Sequence, residues 1–133
     1  MTRFVVDCET LLEIAAGEIE VAAEHKLLAP TLLRSQTLSM LHESVQRGEI
    51  PADVAHDRLA RISRMQIRLL GDAVLRRRAW DVADRLGSAS TYDAEYVALT
   101  QLQADAFVTS DSNLAREVSG LVETATIDAL GTA

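Results

Sequence analysis

The sequence predicts an α/β protein, a three-layer α/β/α sandwich with a mainly parallel central sheet. Short apolar runs alternate along the chain with longer stretches in which apolar residues recur at helical spacing. Strands that alternate with helices typically form a parallel sheet covered by helices. The chain has 133 residues, 48% of them hydrophobic, which is enough to bury one core, so we expect a single domain over residues 1–133.

The predicted elements follow one another in the order that such a sandwich requires. Strands are expected at residues 4–6, 27–29, 67–70, 106–108 and 121–123, each a short apolar run. Helices are expected at residues 10–16, 19–25, 31–47, 51–64, 74–86, 92–103 and 113–118. Gly17, Gly48 and Gly87 mark helix ends, and Pro51 occupies a first helical turn, where proline is tolerated.

The charge of the chain limits the class of ligand. Acidic residues outnumber Lys and Arg by 20 to 13, which gives a formal net charge of -7. Proteins that bind nucleic acid are usually basic, because Lys and Arg supply the affinity for phosphates. Either nucleic acid is not the substrate, or metal ions carry the positive charge at the site.

Cysteine usage and hydropathy exclude several other classes. Cys8 is the single cysteine, so the chain forms no intrachain disulfide and no cysteine-based zinc site. Neighbouring carboxylates raise a thiol pKa, and we expect Cys8 to be a small buried residue rather than a nucleophile. No apolar run has the length of a membrane span, and acidic residues interrupt a signal peptide at the start of the chain. We therefore expect a cytoplasmic protein.

Three aspartates fall where an α/β sheet places its ligands. Asp7 follows the first predicted strand, Asp111 follows the strand at 106–108, and Asp93 opens the helix at 92–103. Ligands of open α/β sheets bind beyond the carboxyl ends of the strands. Taken alone, Asp93 and Asp111 are each better explained as helix N-caps, whereas Asp7, at the end of a buried strand, needs a partner. Three acids at one edge with no lysine nearby shift the balance to a cation. Clustered carboxylates suit Mg²⁺ or Mn²⁺.

A family resemblance is carried by three segments, FVVDCETLLEI, APTLLRSQ and TYDAEYVALTQLQADAFVTSDSNLARE. In this order and spacing they resemble the PIN domain, most closely the VapC toxins of bacterial toxin–antitoxin pairs. The resemblance covers residues 4 to 122 and is most specific between Tyr92 and Leu114. It implies an Mg²⁺- or Mn²⁺-dependent ribonuclease with RNA as substrate. It also implies a cognate VapB-like antitoxin as partner, and a homodimer.

The resemblance assigns site residues and reveals one departure. Asp7, Asp93 and Asp111 match three of the family's four acids, with Asp7 as the central metal ligand. The fourth, a helix Glu, falls on the neutral Gln36. We expect Glu9 to supply the lost charge and Gln36 a carbonyl oxygen, the alternative being that Glu9 simply begins a helix. Glu43 lies about 10 Å further along the helix of Gln36, too far to bind the same ion.

Other polar and apolar residues have more than one interpretation. Thr109 or Ser110 is expected to hydrogen-bond either the scissile phosphate or a carboxylate that supports the metal ligands, the alternative being that they only close a turn. Two groups of arginines, Arg58, Arg61, Arg64 and Arg68, and Arg76, Arg77 and Arg78, are expected on solvated helix faces rather than on RNA. Trp80 is expected in the core. Part of the apolar set Leu11, Leu12, Ile14, Ile19 and Val21 is expected to line a groove for the antitoxin.

Two rival functions stay open at the level of sequence. A receiver-like signalling domain also binds Mg²⁺ at strand ends, but it needs an adjacent acid pair after the first strand and a late lysine, which this sequence lacks. A catalytically weak or inactive PIN-fold module that binds metal or a partner is the stronger alternative, because Gln36 is neutral.

Overall fold

A five-stranded, fully parallel sheet forms the middle layer of the computed structural model, which describes residues 1–17 and 19–131. The strands are β1 (Arg3–Val6), β2 (Lys26–Pro30), β3 (Ile67–Leu70), β4 (Ala106–Val108) and β5 (Thr124–Ala125), in the order β3-β2-β1-β4-β5. The strand order reverses at β1, which has β2 on one side and β4 on the other. The predicted three-layer α/β/α fold class is confirmed.

Six α-helices connect these strands. They are α1 (Cys8–Ala15), α2 (Leu32–Gln46), α3 (Ala52–Arg64), α4 (Ala73–Leu86), α5 (Tyr92–Gln103) and α6 (Ser112–Val118), and a short 3-10 helix spans Ile127–Leu130. Gly87 ends α4 with φ +65, a left-handed conformation that glycine adopts without a steric penalty. The helix α3 begins at Ala52, one residue later than expected, and Pro51 is therefore its N-cap rather than its first residue.

Alternate residues of the central strand enter two different cores. Val5 is fully buried with Leu28 and Phe107 in the larger cluster, which also holds the buried faces of α4 and α5. Phe4 and Val6 join a smaller cluster on the other face of the sheet with Ile14 of α1. This alternation follows from the two-residue period of a strand.

The helix expected at residues 19–25 does not form. Val21 makes an isolated antiparallel bridge with Gly131, and the N–H of Ala22 donates to the carbonyl of Leu130 at 2.8 Å. The apolar residues of this segment therefore pack against the end of the described chain, a long-range contact that overrides the local helical spacing. Ile19 and Val21 are half-buried in this arrangement.

The last strand lies three residues later than expected. Residues 121–123 are not a strand, because the N–H groups of Leu121 and Val122 both donate to the carbonyl of Val118 and continue the turn after α6. The ladder with β4 begins only where Thr124 pairs with Phe107 and Ala125 with Val108. The element itself was predicted correctly, and its position was wrong.

Trp80 is not a core residue. Its side chain is 67% exposed, whereas the inward face of α4 carries Leu75, Ala79 and Val82. Trp80 follows Ala79 directly, and one residue turns a helix by about 100°, which carries Trp80 away from the sheet. Among the described residues, no helix combines the length and apolar character needed to cross a bilayer.

Candidate metal-binding site

The structure brings the three predicted aspartates to one edge of the sheet, which we call the acid edge. Asp7 follows β1 directly, Asp111 lies three residues beyond β4, and β1 and β4 are hydrogen-bonded neighbours. Asp93 lies in the first turn of α5, a helix that packs on β1 and β4. The carboxyl ends of parallel strands meet at one edge, which is why residues so distant in sequence converge.

The electrostatics of Asp93 show that these carboxylates influence one another. Its pKa is raised above the ordinary aspartate value, first by partial burial and then by the negative charges of Asp111, Asp7 and Glu117. Glu117, in α6, was not expected at this edge. The only sign of it in the sequence is its spacing of six residues from Asp111. The acid edge therefore concentrates carboxylates whose negative charges oppose the ionisation of Asp93.

Two of the three aspartates also cap helices. Asp7 is the N-cap of α1, where Oδ1 accepts from the N–H of Thr10 at 2.9 Å. Asp111 caps α6, where Oδ1 accepts from the N–H groups of Asn113 and Leu114 at 3.0 and 3.1 Å. Among the described residues nothing donates to Oδ2 of either aspartate. Asp93 is not a cap, because the N-cap of α5 is Thr91.

Glu9 lies beside the same edge. It occupies the first turn of α1, as its alternative interpretation expects, and its Oε2 accepts from the hydroxyl of Ser110 at 3.2 Å. This bond joins the loop after β4 to α1. Thr109 is buried, and its hydroxyl oxygen accepts from the N–H of Asp111 at 3.1 Å, so it holds the capping loop in place.

Gln36 is hydrogen-bonded to Tyr96, a residue to which the sequence analysis gave no role. The phenol of Tyr96 donates to Oε1 of Gln36 at 2.6 Å. Tyr96 is 3% exposed, and its ring stacks on Phe107 with the centroids 6.0 Å apart. Burial, then the charges of Cys8, Asp7, Glu95 and Asp93, raise the pKa of Tyr96, so the phenol stays protonated and donates. The carbonyl oxygen that we expected as a metal ligand is already a hydrogen-bond acceptor.

Cys8 is a core residue, as expected. Its side chain is buried, and its Sγ lies 3.0 Å from Sδ of Met40, to which it donates. Burial, followed by the charges of Asp7 and Glu9, raises the pKa of the thiol to about 12. A thiol in this environment is not a nucleophile at neutral pH.

The donor set suits a hard divalent cation in its chemistry. Carboxylate oxygens are preferred by Mg²⁺ and Mn²⁺, and a cation would relieve the repulsion that raises the pKa of Asp93. In the conformation of the described residues, no three His, Cys, Asp or Glu side chains are gathered closely enough to hold one ion. Binding therefore requires the side chains at the acid edge to rotate towards the metal.

Most of the arginines expected on solvated helix faces lie there, but Arg68 belongs to strand β3 and Arg58 is half-buried. Arg61 pairs with Asp57 at 3.2 Å and donates to the carbonyl of Ala15 at 3.3 Å. Arg64, Arg68, Arg76 and Arg77 are exposed, and exposed Arg78 donates to Gln101 at 3.1 Å. None of these contacts reaches the acid edge.

Neither a protein-family model nor a curated protein matches this sequence. Solved structures do match. PAE2754 from Pyrobaculum aerophilum is 21% identical with a TM-score of 0.74, over 97% of this chain and 92% of that one. VapBC2 from Rickettsia felis, solved bound to a DNA fragment from its promoter, is 7% identical with a TM-score of 0.69, over 93% and 98% of the two chains.

A toxin–antitoxin complex from Klebsiella pneumoniae is also similar in fold, with 10% identity and a TM-score of 0.56 over 92% of this chain and 96% of that chain. At sequence identities this low, the structural similarity is evidence for the fold alone. The chain has a PIN-like fold, in agreement with the resemblance found in its sequence.

Proposed function

We propose that this protein is a metal-dependent ribonuclease and the toxin of a type II toxin–antitoxin pair. The observation that carries the proposal is the convergence of Asp7, Asp93 and Asp111 at the acid edge, where partial burial and then the charges of the other two aspartates raise the pKa of Asp93. The PIN-like fold and its likeness to toxin–antitoxin complexes support the same assignment.

The acid edge offers a direct chemical route to RNA hydrolysis. Oδ2 of Asp7 and Asp111 takes no part in helix capping, and Asp93 senses the charge of both, so the three would hold Mg²⁺ or Mn²⁺ once their side chains rotate towards it. The bound ion would activate a water and neutralise charge on the phosphodiester. Glu9 adds a further negative charge and is oriented by Ser110. The metal also explains how an acidic protein attracts a phosphate backbone.

An antitoxin partner is supported by an apolar groove on the helices that cover the sheet. A cavity of about 500 Å³ lies between α2, α3 and β3, lined by side chains that include Leu33, Leu38, Leu59 and Ile62. Leu38 is 57% exposed there. The groove differs from the expected one, because Leu11 and Ile14 are buried in the core and only Leu11 reaches its wall. We propose that an apolar antitoxin segment occupies it.

A homodimer is supported by the outer face of α4. Val74 and Trp80 are 63% and 67% exposed, although both are large and apolar. Arginines fill the first half of the helix (Arg76, Arg77 and Arg78), and Asp81 and Asp84 follow in the second half. Two such helices packed antiparallel about a two-fold axis place the arginines of one copy against the aspartates of the other. We place this dimer in the cytoplasm.

The test is RNA cleavage by purified protein with Mg²⁺ or Mn²⁺. Wild type is expected to cleave, and Asp7→Asn and Asp93→Asn to lose at least about 100-fold, since even residues behind a metal ligand are worth 10–100-fold. Asp72→Asn is the matched control, because Asp72 caps α4 in the same way as Asp7 caps α1. Cleavage that survives both site variants and EDTA contradicts the proposal.

The second candidate, a catalytically weak PIN-fold module, is favoured by one observation. Gln36 is neutral, and its carbonyl oxygen is held by Tyr96. If this candidate is correct, calorimetry detects binding of Mg²⁺ or Mn²⁺ to the acid edge, but the protein does not cleave RNA in the presence of either ion.

A further inference from the structure

A second concave site lies at the opposite edge of the sheet, where β1, β2 and β3 begin. We call it the amino-edge pocket, a cavity of about 460 Å³ lined by Arg3, Lys26, Leu27, Ile67 and Arg68, among others. Cavities that bind small molecules have volumes of about 300–1,000 Å³. Its walls come from three adjacent strands, so the sheet itself holds it in shape.

The strand register places the three basic residues of this pocket on one face of the sheet. Arg3 of β1 is paired with Lys26 of β2, and Arg68 of β3 is paired with Leu28. Register partners share a face, and so do residues two apart along a strand. Arg3, Lys26 and Arg68 therefore project to the same side from neighbouring strands. His25 belongs to the other side, where its ring packs edge-on against Phe4 at 5.0 Å.

The positive charge of the pocket is not neutralised by the protein. Among the described residues, the ion pairs involve Arg47 and Arg61, and neither Arg3, Lys26 nor Arg68 takes part in one. The carboxylate of Asp105 accepts from the backbone N–H of Arg3 at 2.8 Å and so lies near the pocket, tied to the main chain. Three unpaired cations on one face are unusual in a chain with a net charge of -7.

We propose that the amino-edge pocket binds the phosphate of a nucleotide. Arg3 and Arg68 present planar guanidinium groups that grip phosphate oxygens in pairs, and Lys26 between them adds a point charge. Leu28, which lies on the same face of the sheet as the three cations, gives the wall an apolar part against which a base or ribose packs. The nucleotide is either free or the terminal residue of an RNA strand. The site is separate from the acid edge and does not depend on the activity proposed there.

Calorimetric titration in EDTA tests this site without the metal chemistry. The probes are inorganic phosphate, ADP, and a short RNA with and without a 5′-phosphate. ADP is expected to bind saturably, with phosphate competing, and Arg3→Gln, Lys26→Gln and Arg68→Gln are each expected to weaken it about tenfold or more. Tighter binding of the 5′-phosphorylated RNA than of ADP identifies an RNA end as the source, and the reverse order a free nucleotide.

Two control variants test whether binding is specific to the amino-edge pocket. Arg85→Gln removes an exposed arginine of α4 outside the pocket, and Asp93→Asn alters the acid edge. Both are expected to bind ADP like wild type, and circular dichroism verifies the fold of every variant. Absence of saturable binding overturns the proposal. An equal loss with Arg85→Gln overturns it as well, because the interaction is then nonspecific attraction to positive charge.

Discussion

Asp93 is a carboxylate whose ionisation the fold opposes. Because its pKa is raised in the folded state, the native protein holds a proton over a pH range in which the unfolded chain has lost it. Stability therefore falls as the pH rises from the ordinary aspartate pKa through the raised one, and the loss is complete above that window. At neutral pH the charge of Asp93 therefore lowers the stability of the fold.

The variant Asp93→Asn is accordingly expected to stabilise the metal-free protein at neutral pH. Asp93 as a whole residue is exposed although its carboxyl group is partly buried, so solvent screening limits the gain to about 1 kcal/mol or less. This gain in stability should shrink as the pH falls from the raised pKa of Asp93 towards the ordinary aspartate pKa, because wild-type Asp93 then becomes neutral as well. Thermal melts of both proteins from acid to neutral pH measure this. Asp81→Asn on α4 is the control, and an equal gain there would mean that net charge is the cause.

Gln36 and Tyr96 form the other residue pair with a measurable signature. Gln36→Glu adds a carboxylate while keeping an acceptor for the Tyr96 phenol, so Mn²⁺ affinity is expected to rise about tenfold, the effect of one charged ligand at an acidic site. Gln46→Glu adds the same charge to the exposed end of α2. Calorimetry that shows equal affinities for the two variants would place Gln36 outside the metal's reach.

The edge of the sheet at which the three aspartates lie was predictable from the sequence. The hydrogen bond that Gln36 accepts from Tyr96 was not. Asp7 and Asp111 follow strands, so their position is set by the chain direction of the sheet. The bond between Tyr96 and Gln36 joins residues 60 positions apart and depends on how α2 and α5 sit over the sheet. Local sequence carries no signal for such a contact.

At the scale of elements, the acid edge shares its residues with the helix ends. Asp7 and Asp111 satisfy N–H groups of α1 and α6, so a substitution there changes both the fold and the site. Asparagine caps a helix about as well as aspartate, but it carries no charge, whereas alanine loses both properties. The two roles can therefore be separated by the choice of substitution.

For Asp111→Asn, the free energy of unfolding is expected to stay within about 0.5 kcal/mol of the wild-type value. For Asp111→Ala it is expected to fall by about 1 kcal/mol. Both should lose Mn²⁺ affinity. The same pair of substitutions at Asp72, the N-cap of α4, should reproduce the stability change alone. Urea unfolding with and without Mn²⁺ gives both quantities. If Asp111→Asn retained full affinity, Asp111 would be a cap and nothing more.

Elements with a strong local signal were predicted closely. The helix at Tyr92–Gln103 and the strands β3 and β4 have the expected bounds. The two failures, at residues 19–25 and 121–123, both involve the far end of the chain. Val21 pairs with Gly131, and β5 takes its register from β4. Long-range pairing determines the backbone conformation of these two segments, and neither the secondary-structure propensities of their residues nor their hydrophobic periodicity predicts such pairing.

At the scale of the molecule, the exposed Trp80 is a direct probe of assembly. It is the single tryptophan, so its fluorescence reports on the outer face of α4 alone. If two copies pack through α4, emission shifts to shorter wavelength with rising protein concentration, and Trp80→Glu gives a monomer in sedimentation velocity. Leu38→Glu, in the groove on α2, should leave the dimer intact. A dimer that survives Trp80→Glu lies elsewhere.

The parallel order of the sheet was foreseeable from the alternation of strands and helices, but the exposure of α4 was not. A tryptophan is normally counted as core, and only the burial of Ala79 and Val82 on the inward face of α4 shows that Trp80 faces outward. Large apolar residues that the fold leaves outside are the ones that point to an assembly.

The burial of Cys8 makes the chain convenient for site-specific labelling. Its thiol is screened from reagents and remains protonated at neutral pH, so maleimides and disulfide reagents are expected to react with it only after unfolding. A cysteine introduced on an exposed helix face, such as at position 77 or 85, would then be modified selectively in the otherwise native sequence. Ellman's reagent titrated against native and urea-unfolded protein measures this, and rapid reaction of the native protein would refute it.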